Sequence, residues 1–300
     1  MRQTFSRLAW WFVAYLIAVI LFGAWVRIAG AGAGCGNHWP LCDGEVLPTA
    51  PQAKKLIEFT HRLTSGLCGV FAIGFIWWAR RLGDRAILRA ACWTMFFVLV
   101  EGFVGAVLVK KELVVNDASV SRAVVIGLHL VNTMLLVASA CAMAWRSGPL
   151  VSASGVVSRG FLAAAIGMLV LTNMTGAVTA LGDTLFPIQP MIGGALFGRI
   201  REDLTAGQHF LVRLRVIHPF VAFFSAAFLS GVIASIKRQF SGETGMQRLL
   251  RVPLVLVGLQ VMLGLSNIAL AAPGWMQIVH LLMAQMLWVA VCCVWMGLRN

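Results

Sequence analysis

The chain has 300 residues, 60% of them hydrophobic and only 12% charged, with a net charge of +13 and a mean hydropathy of +0.87. That composition excludes an ordinary soluble domain. It also excludes a nucleic-acid binder: the basic residues are spread over the connections between apolar stretches, with no basic domain to dock on a duplex, so they read as topology charges and contacts to anionic lipid.

A helix that crosses a bilayer needs about 20 mainly apolar residues. Eight stretches qualify, roughly 9–28, 58–79, 88–109, 123–145, 157–181, 214–236, 251–271 and 276–298. They are too long and unbroken for barrel strands. The expected fold is therefore all-α: a polytopic membrane protein of eight transmembrane helices in the lipid bilayer. No small-residue cleavage site follows the first stretch, which is expected to be retained. Arg2 and Arg7 precede it. Arg80, Arg81, Arg85 and Arg89 fill the second connection, Arg146 and Arg159 the fourth, and Lys237, Arg238, Arg248 and Arg251 the sixth. The opposite side carries Lys54, Lys55, Lys110, Lys111, Arg199 and Arg201, on loops that are mostly longer and partly compensated by acids. The balance puts both termini in the cytoplasm.

The first outer loop runs Cys35-Gly36-Asn37-His38-Trp39-Pro40-Leu41-Cys42. On the oxidising side its two cysteines can form a disulfide, worth about 2–3 kcal/mol in the chain-entropy account. A redox-active pair that exchanges with a partner thiol fits as well. A zinc site using His38 lacks a fourth ligand locally. Cys68, Cys92, Cys141, Cys292 and Cys293 fall inside spans and read as small apolar packing residues. His209 reads as a loop residue of the fifth connection.

The second span opens with Glu58 and His61, the fourth with Arg122 and His129, the sixth with Arg213, Arg215 and His218, and the eighth contains His280. Each histidine lies about five residues past the start of an even-numbered span, which at about 1.5 Å per residue is on the order of 7–10 Å deep. Even-numbered spans run from outside to inside, so all four histidines sit near the outer face. Polar nitrogen ligands are expensive in a bilayer and usually mark a function. Four of them at a common depth suggest two bis-histidine sites, the pattern of haem ligation.

The halves repeat. His61 and His218 are 157 residues apart, and His129 and His280 are 151 apart. Between them Glu101 and Gly105 match Gln260 and Gly264 at an offset of 159. Residues 1–148 and 149–300 then form two four-helix halves. Four spans is an even number, so the halves share one orientation and are related by a pseudo-two-fold axis along the membrane normal. The repeat pairs His61 with His129 and His218 with His280.

Glu58 stands three residues before His61, on the same helical face. It is placed to orient water, take protons or stabilise a developing positive charge, or else to cap the helix start. The second half has no acid at the matching place. The first half thus looks built for reaction and the second for holding a cofactor. Arg62, Arg122, Arg213 and Arg215 flank the histidines and suit haem propionates or interfacial anchoring. Glu101, in mid-span, suits a hydrogen bond to a neighbouring helix or a proton relay.

Together these residues resemble the haem A synthases, bacterial type with a cysteine pair. The matching segments are Gly34-Cys35 through Trp39-Pro40-Leu41-Cys42-Asp43-Gly44, Glu58-Phe59-Thr60-His61-Arg62 and Gly182-Asp183-Thr184-Leu185-Phe186-Pro187. They continue with Arg215-Val216-Ile217-His218-Pro219, Ser266-Asn267-Ile268 and Trp275-Met276-Gln277-Ile278-Val279-His280-Leu281. The resemblance spans essentially the whole chain.

It implies an eight-span enzyme of the bacterial inner membrane that oxidises the methyl group of haem O to the formyl group of haem A, for terminal oxidase biogenesis. His61 and His129 would flank the substrate haem O, His218 and His280 would ligate a haem b cofactor, Glu58 would be the acidic residue of the active site, and Cys35 and Cys42 the family's first-loop pair. Some members have a second cysteine pair between spans 5 and 6; this chain has no cysteine from 182 to 213. Where some relatives carry glutamine on span 3, it has Glu101. Water would supply the oxygen, through an alcohol and a hydrated aldehyde, and haem b would pass electrons to an acceptor the sequence does not name. A haem O synthase, the prenyl transferase that makes the substrate, is the implied partner. The rival reading is a non-catalytic dihaem b-type cytochrome for electron transfer, which explains the four histidines but not an acid in one half only.

Overall fold

A computed structural model describes residues 1–48, 52–148, 153–154, 159–188 and 196–299. They divide into two compact units, Met1–Gly148 and Pro149–Asn300. The first contains α1 (Arg2–Ile28), α2 (Ala53–Leu82), α3 (Arg85–Lys110) and α4 (Val120–Ser147). The second contains α5 (Arg159–Leu185), the short α6 (Leu196–Asp203), α7 (Phe210–Gln239), α8 (Thr244–Ala269) and α9 (Gly274–Gly297). Among the described residues, eight of these helices are long and apolar enough to cross a membrane. The one departure from an all-helical chain is a two-residue parallel ladder, β1 (Ala153–Ser154) with β2 (Leu298–Arg299).

Local chemistry sets the corners. Gly83, at φ 70°, ends α2 in the left-handed conformation that glycine adopts without strain. Asp84 then caps α3, accepting from the backbone N–H of Ala86 and Ile87 at 2.9 and 3.2 Å. Ser119 caps α4 by accepting from Arg122 N–H at 3.1 Å. α2, α4, α7 and α9 begin before the apolar stretches that mark them in sequence; Ser119 and His209 cap α4 and α7, whereas α2 and α9 start without a side-chain cap. At about 1.5 Å per residue the four histidines lie roughly 9–14 Å along their helices, because each helix starts before its apolar stretch.

Each unit is a closed ring of four long helices. In the first, α1 packs on α2, α2 on α3, α3 on α4, and α4 back on α1; in the second, α5, α7, α8 and α9 follow the same neighbour order. Lipid offers no hydrophobic drive to pair helices, so small residues and interhelical hydrogen bonds do the joining. Tyr15 donates to the Thr64 carbonyl at 2.8 Å across α1 and α2, Thr94 to Ser139 at 3.1 Å across α3 and α4, and Thr172 to Ser225 at 2.6 Å across α5 and α7. Large apolar side chains such as Phe103, Val70, Phe223 and Met262 are exposed on the outside, as lipid-facing residues are.

The ring order positions the histidines. α2 and α4 share both neighbours and occupy opposite corners of the first ring; α7 and α9 do so in the second. A side chain pointing inward from one therefore faces the other across the ring interior.

Candidate functional site

In the first ring, His61 stands on α2 and His129 on α4, the two opposite corners. Gly23 on α1 makes room for His61: a Cβ there would lie 3.0 Å from Cε1 and 3.2 Å from Nε2. Phe22 meets the His61 ring edge-on, with centroids 5.7 Å apart. His129 is met from α3 by Glu101, whose Oε1 is 3.5 Å from Nδ1. The Glu101 carboxylate also receives the Asn132 amide and the Thr133 hydroxyl. Two donors and the His129 ring thus surround this mid-helix acid, which is how a bilayer tolerates one.

The second ring repeats the plan with different chemistry. His218 stands on α7 and His280 on α9, again at opposite corners. Gly176 on α5 takes the place of Gly23, and a Cβ there would lie 2.9 Å from His218 Cε1. Thr175 Oγ1 lies 3.1 Å from His218 Nδ1. The side-chain amide of Gln260 on α8 reaches His280 Nε2 at 3.2 Å. Pro219 directly follows His218 inside α7 and removes one backbone donor there.

These residues fit a haem. His61, His129 and His280 each keep a buried Nδ1 without a hydrogen-bond partner, and buried polar atoms in native structures are ordinarily satisfied. Among the described residues, no three histidine, cysteine or acidic side chains gather to hold a bare metal ion. Two facing imidazoles suit a metal that arrives with its other positions already filled by a macrocycle, as in haem.

At the loop end of the first ring, Glu58 is buried, with its residue 3% exposed. Its Oε2 accepts from the Cys35 backbone N–H at 2.9 Å, and its Oε1 pairs with Arg62 at 2.5 Å. Arg62 also donates to the carbonyls of His38 and Leu41 at 2.6 and 2.7 Å. Cys35 and Cys42 are joined in a disulfide and are 0% and 1% exposed. Asp43 pairs with Lys55, and the Lys55 hydrogen bond holds the Asp43 carboxyl below its ordinary range. One acid and two bases on α2, Glu58 with Arg62 and Lys55, thus seat the disulfide loop, and Asn37 links it to Glu112 at 3.4 Å in the connection between α3 and α4. His38 contributes its carbonyl, not its ring, to this arrangement.

The other flanking arginines are placed differently from one another. Arg122 is buried and donates to the carbonyls of Val115 and Asp117 at 2.9 and 2.6 Å. Arg215 pairs with Asp183 at 3.5 Å and Asp203 at 3.1 Å. Arg213 is exposed. His209 is a helix cap rather than a plain loop residue: its Nδ1 accepts from Leu211 N–H at 3.3 Å, and its ring stacks on Phe186 at 4.8 Å.

A model of the cytochrome oxidase assembly protein family matches residues 6–292. The chain belongs to that family. A relative named protoheme IX farnesyltransferase, from Thermus thermophilus, is 43% identical over 291 residues, covering 93% of this chain and 46% of the relative. Proteins named heme A synthase are similar over shorter stretches: one from Symbiobacterium thermophilum is 37% identical over 100 residues, 33% of this chain and 32% of its own length. Another, from Halalkalibacterium halodurans, is 40% identical over 93 residues, 30% of this chain and 31% of its own length. The chain spans about half the length of the Thermus relative.

In this family member, two site residues, Thr175 and Gln260, went unassigned in the sequence, and a third, Arg215, was assigned without its match to Glu58. Thr175 precedes Gly176 and carries no motif of its own; only the match of Gly176 to Gly23 across the repeat exposes it. Gln260 was visible as the partner of Glu101 in the repeat, but its contact with His280 depends on how α8 and α9 face. Arg215 stands three residues before His218, just where Glu58 stands before His61, so the halves carry opposite charges at one place.

Proposed function

We propose that the protein is a haem A synthase. The methyl group of haem O is oxidised to a formyl group in the first ring, between His61 and His129, while His218 and His280 hold haem b in the second. Written out, the methyl group and one water give the aldehyde, four protons and four electrons, which pass to an acceptor; haem b, held by His218 and His280, would supply the redox centre for that transfer. The observation that carries this reading is one histidine on each of two opposite helices in each ring, with no three histidine, cysteine or acidic side chains gathered to hold a bare metal ion among the described residues.

The halves' chemical inequality favours an enzyme over a dihaem carrier. The first ring holds Glu101 beside His129 and Glu58 one helical turn before His61; the second offers Gln260 and Arg215 at the matching places. Glu58 has both oxygens engaged, which suits a fixed negative charge that stabilises a cationic methyl centre better than a free base. Arg62, Arg122 and Arg215 serve the propionates only if they give up present bonds, whereas Arg213 is free to reach. The haem sites are read as lying near the outer face of the cell membrane, with both termini in the cytoplasm.

The farnesyltransferase name of the Thermus relative belongs to a chain about twice as long. We assign prenylation to the part of that relative outside the match, which makes a haem O synthase the natural supplier of this chain's substrate. Haem extraction from the purified protein tests the whole reading. Haem O or A alongside haem b supports it. Two equivalents of haem b, with no conversion of added haem O, would leave only the electron carrier.

A further inference from the structure

The two rings hold their first histidines differently. Thr175 lies 3.1 Å from His218 Nδ1 and gives its own hydroxyl proton to the Thr172 carbonyl at 2.9 Å. A lone pair of Thr175 therefore faces Nδ1, which must carry the ring proton, and Nε2 is left as the ligating nitrogen. Gly23 and Gly176 lie against the first histidine of their rings in the same way: a Cβ added at either would come within 3.0 and 2.9 Å of Cε1. The residue before each glycine consequently occupies the same place: Thr175 in the second ring, Phe22 in the first. Phe22 offers His61 an aromatic edge and no hydrogen bond, and His61 Nδ1 is buried without a partner. The second histidines are both met by a polar side chain from the third helix of their ring, Glu101 at His129 and Gln260 at His280. Among the described residues, His61 is the one histidine of the four whose ring has no polar side chain beside it.

We propose that His61 is the releasing ligand of the first ring, and that the exchange of Phe22 for Thr175 separates a substrate site from a cofactor site. His61 gives up the iron by taking back its Nε2 electron pair, with no change of charge or oxidation state, while His129 stays steadied by Glu101. His218, fixed by Thr175, keeps its haem as a resident group. A hydrogen-bond partner behind a ligating histidine is typically worth about 10–100-fold in metal affinity, enough to divide an exchanging site from a retaining one. This rests on the reading that the histidine pairs bind haem.

Haem transfer from the purified full-length protein to excess apomyoglobin, followed in the Soret band, tests it. His218→Ala with His280→Ala isolates the first ring, and His61→Ala with His129→Ala isolates the second. First-ring haem should leave about 10–100-fold faster than second-ring haem. Thr175→Val should speed second-ring release by a similar factor, and Thr175→Ser, which keeps the hydroxyl, should restore it. Phe22→Thr should slow first-ring release, whereas Phe22→Leu, apolar without a hydroxyl, should not. Equal release from the two rings, a Thr175→Val variant that releases like its parent, or Leu slowing release as much as Thr would overturn the proposal. A protein whose haem is untouched by any histidine substitution would overturn the site reading instead.

Discussion

Replacing Gly176 by alanine would place a Cβ 2.9 Å from His218 Cε1 and 3.4 Å from both ring nitrogens. Carbon atoms pack at about 3.5–4.0 Å, so the ring must retreat by roughly half an ångström or more, the tolerance of a working site. Overpacking of this kind costs about 1–3 kcal/mol, which at about 1.4 kcal/mol per tenfold is roughly 5- to 150-fold in haem affinity. The structure supplies a graded series. Gly23→Ala meets His61 at 3.0 Å, Gly264→Ala meets His280 at 3.3 Å, and Gly105→Ala meets nothing within 4 Å. Haem per protein, measured after purification by the pyridine haemochrome method, should fall most for Gly176→Ala and Gly23→Ala, each in its own ring, and slightly for Gly264→Ala. Gly105→Ala should keep its haem and gain up to about 1 kcal/mol of helix stability. Equal haem content across all four variants would refute the packing argument.

Glu58→Gln should slow turnover with haem still bound and, by leaving Arg62 without its charge partner, should speed reduction of the Cys35–Cys42 disulfide; unchanged reduction would show that Glu58 does not seat the loop. The pH dependence of that reduction follows from Asp43, whose folded-state carboxyl is held low by the Lys55 hydrogen bond. A depressed value stabilises above the ordinary aspartate range and is lost as pH falls through the folded value, so the loop should loosen only below about pH 4. Asp43→Asn should abolish that acid step, and a parent protein with a flat profile from about pH 6 to 3 would contradict the tether. Arg215→Leu leaves the Asp183 and Asp203 side chains, 8% and 13% exposed, without their cation, a loss of about 3–5 kcal/mol for a buried pair; a detergent melt at the parental temperature would refute that ion network.

Hydropathy carried the spans and their number, because bilayer thickness imposes one length on every crossing. The histidines, Glu58 and the cysteine loop were legible because each is a polar departure from an apolar background. Helix starts were not, since Asp84, Ser119 and His209 set them by capping, which hydropathy does not register. What surrounds each imidazole was mostly hidden too. Glu101 beside His129 depends on the rotation of α3 against α4, and Phe22 beside His61 depends on that of α1 against α2. Neither rotation leaves a periodic trace in helices apolar all round. The short α6 was missed because its charged residues break the apolar pattern rather than mark a helix.

The buried disulfide has a consequence for how the protein matures. With Cys35 and Cys42 essentially inaccessible, and the Cys35 backbone and the His38 and Leu41 carbonyls tied to Glu58 and Arg62, neither an oxidase nor a reductant can reach the sulfurs once the loop is seated. Oxidation must therefore come first and docking second, after the loop has crossed the membrane and before the first ring closes over it. A chain that misses that interval would seat its loop with free thiols or not seat it at all, and its redox state changes afterwards only when the loop is loosened.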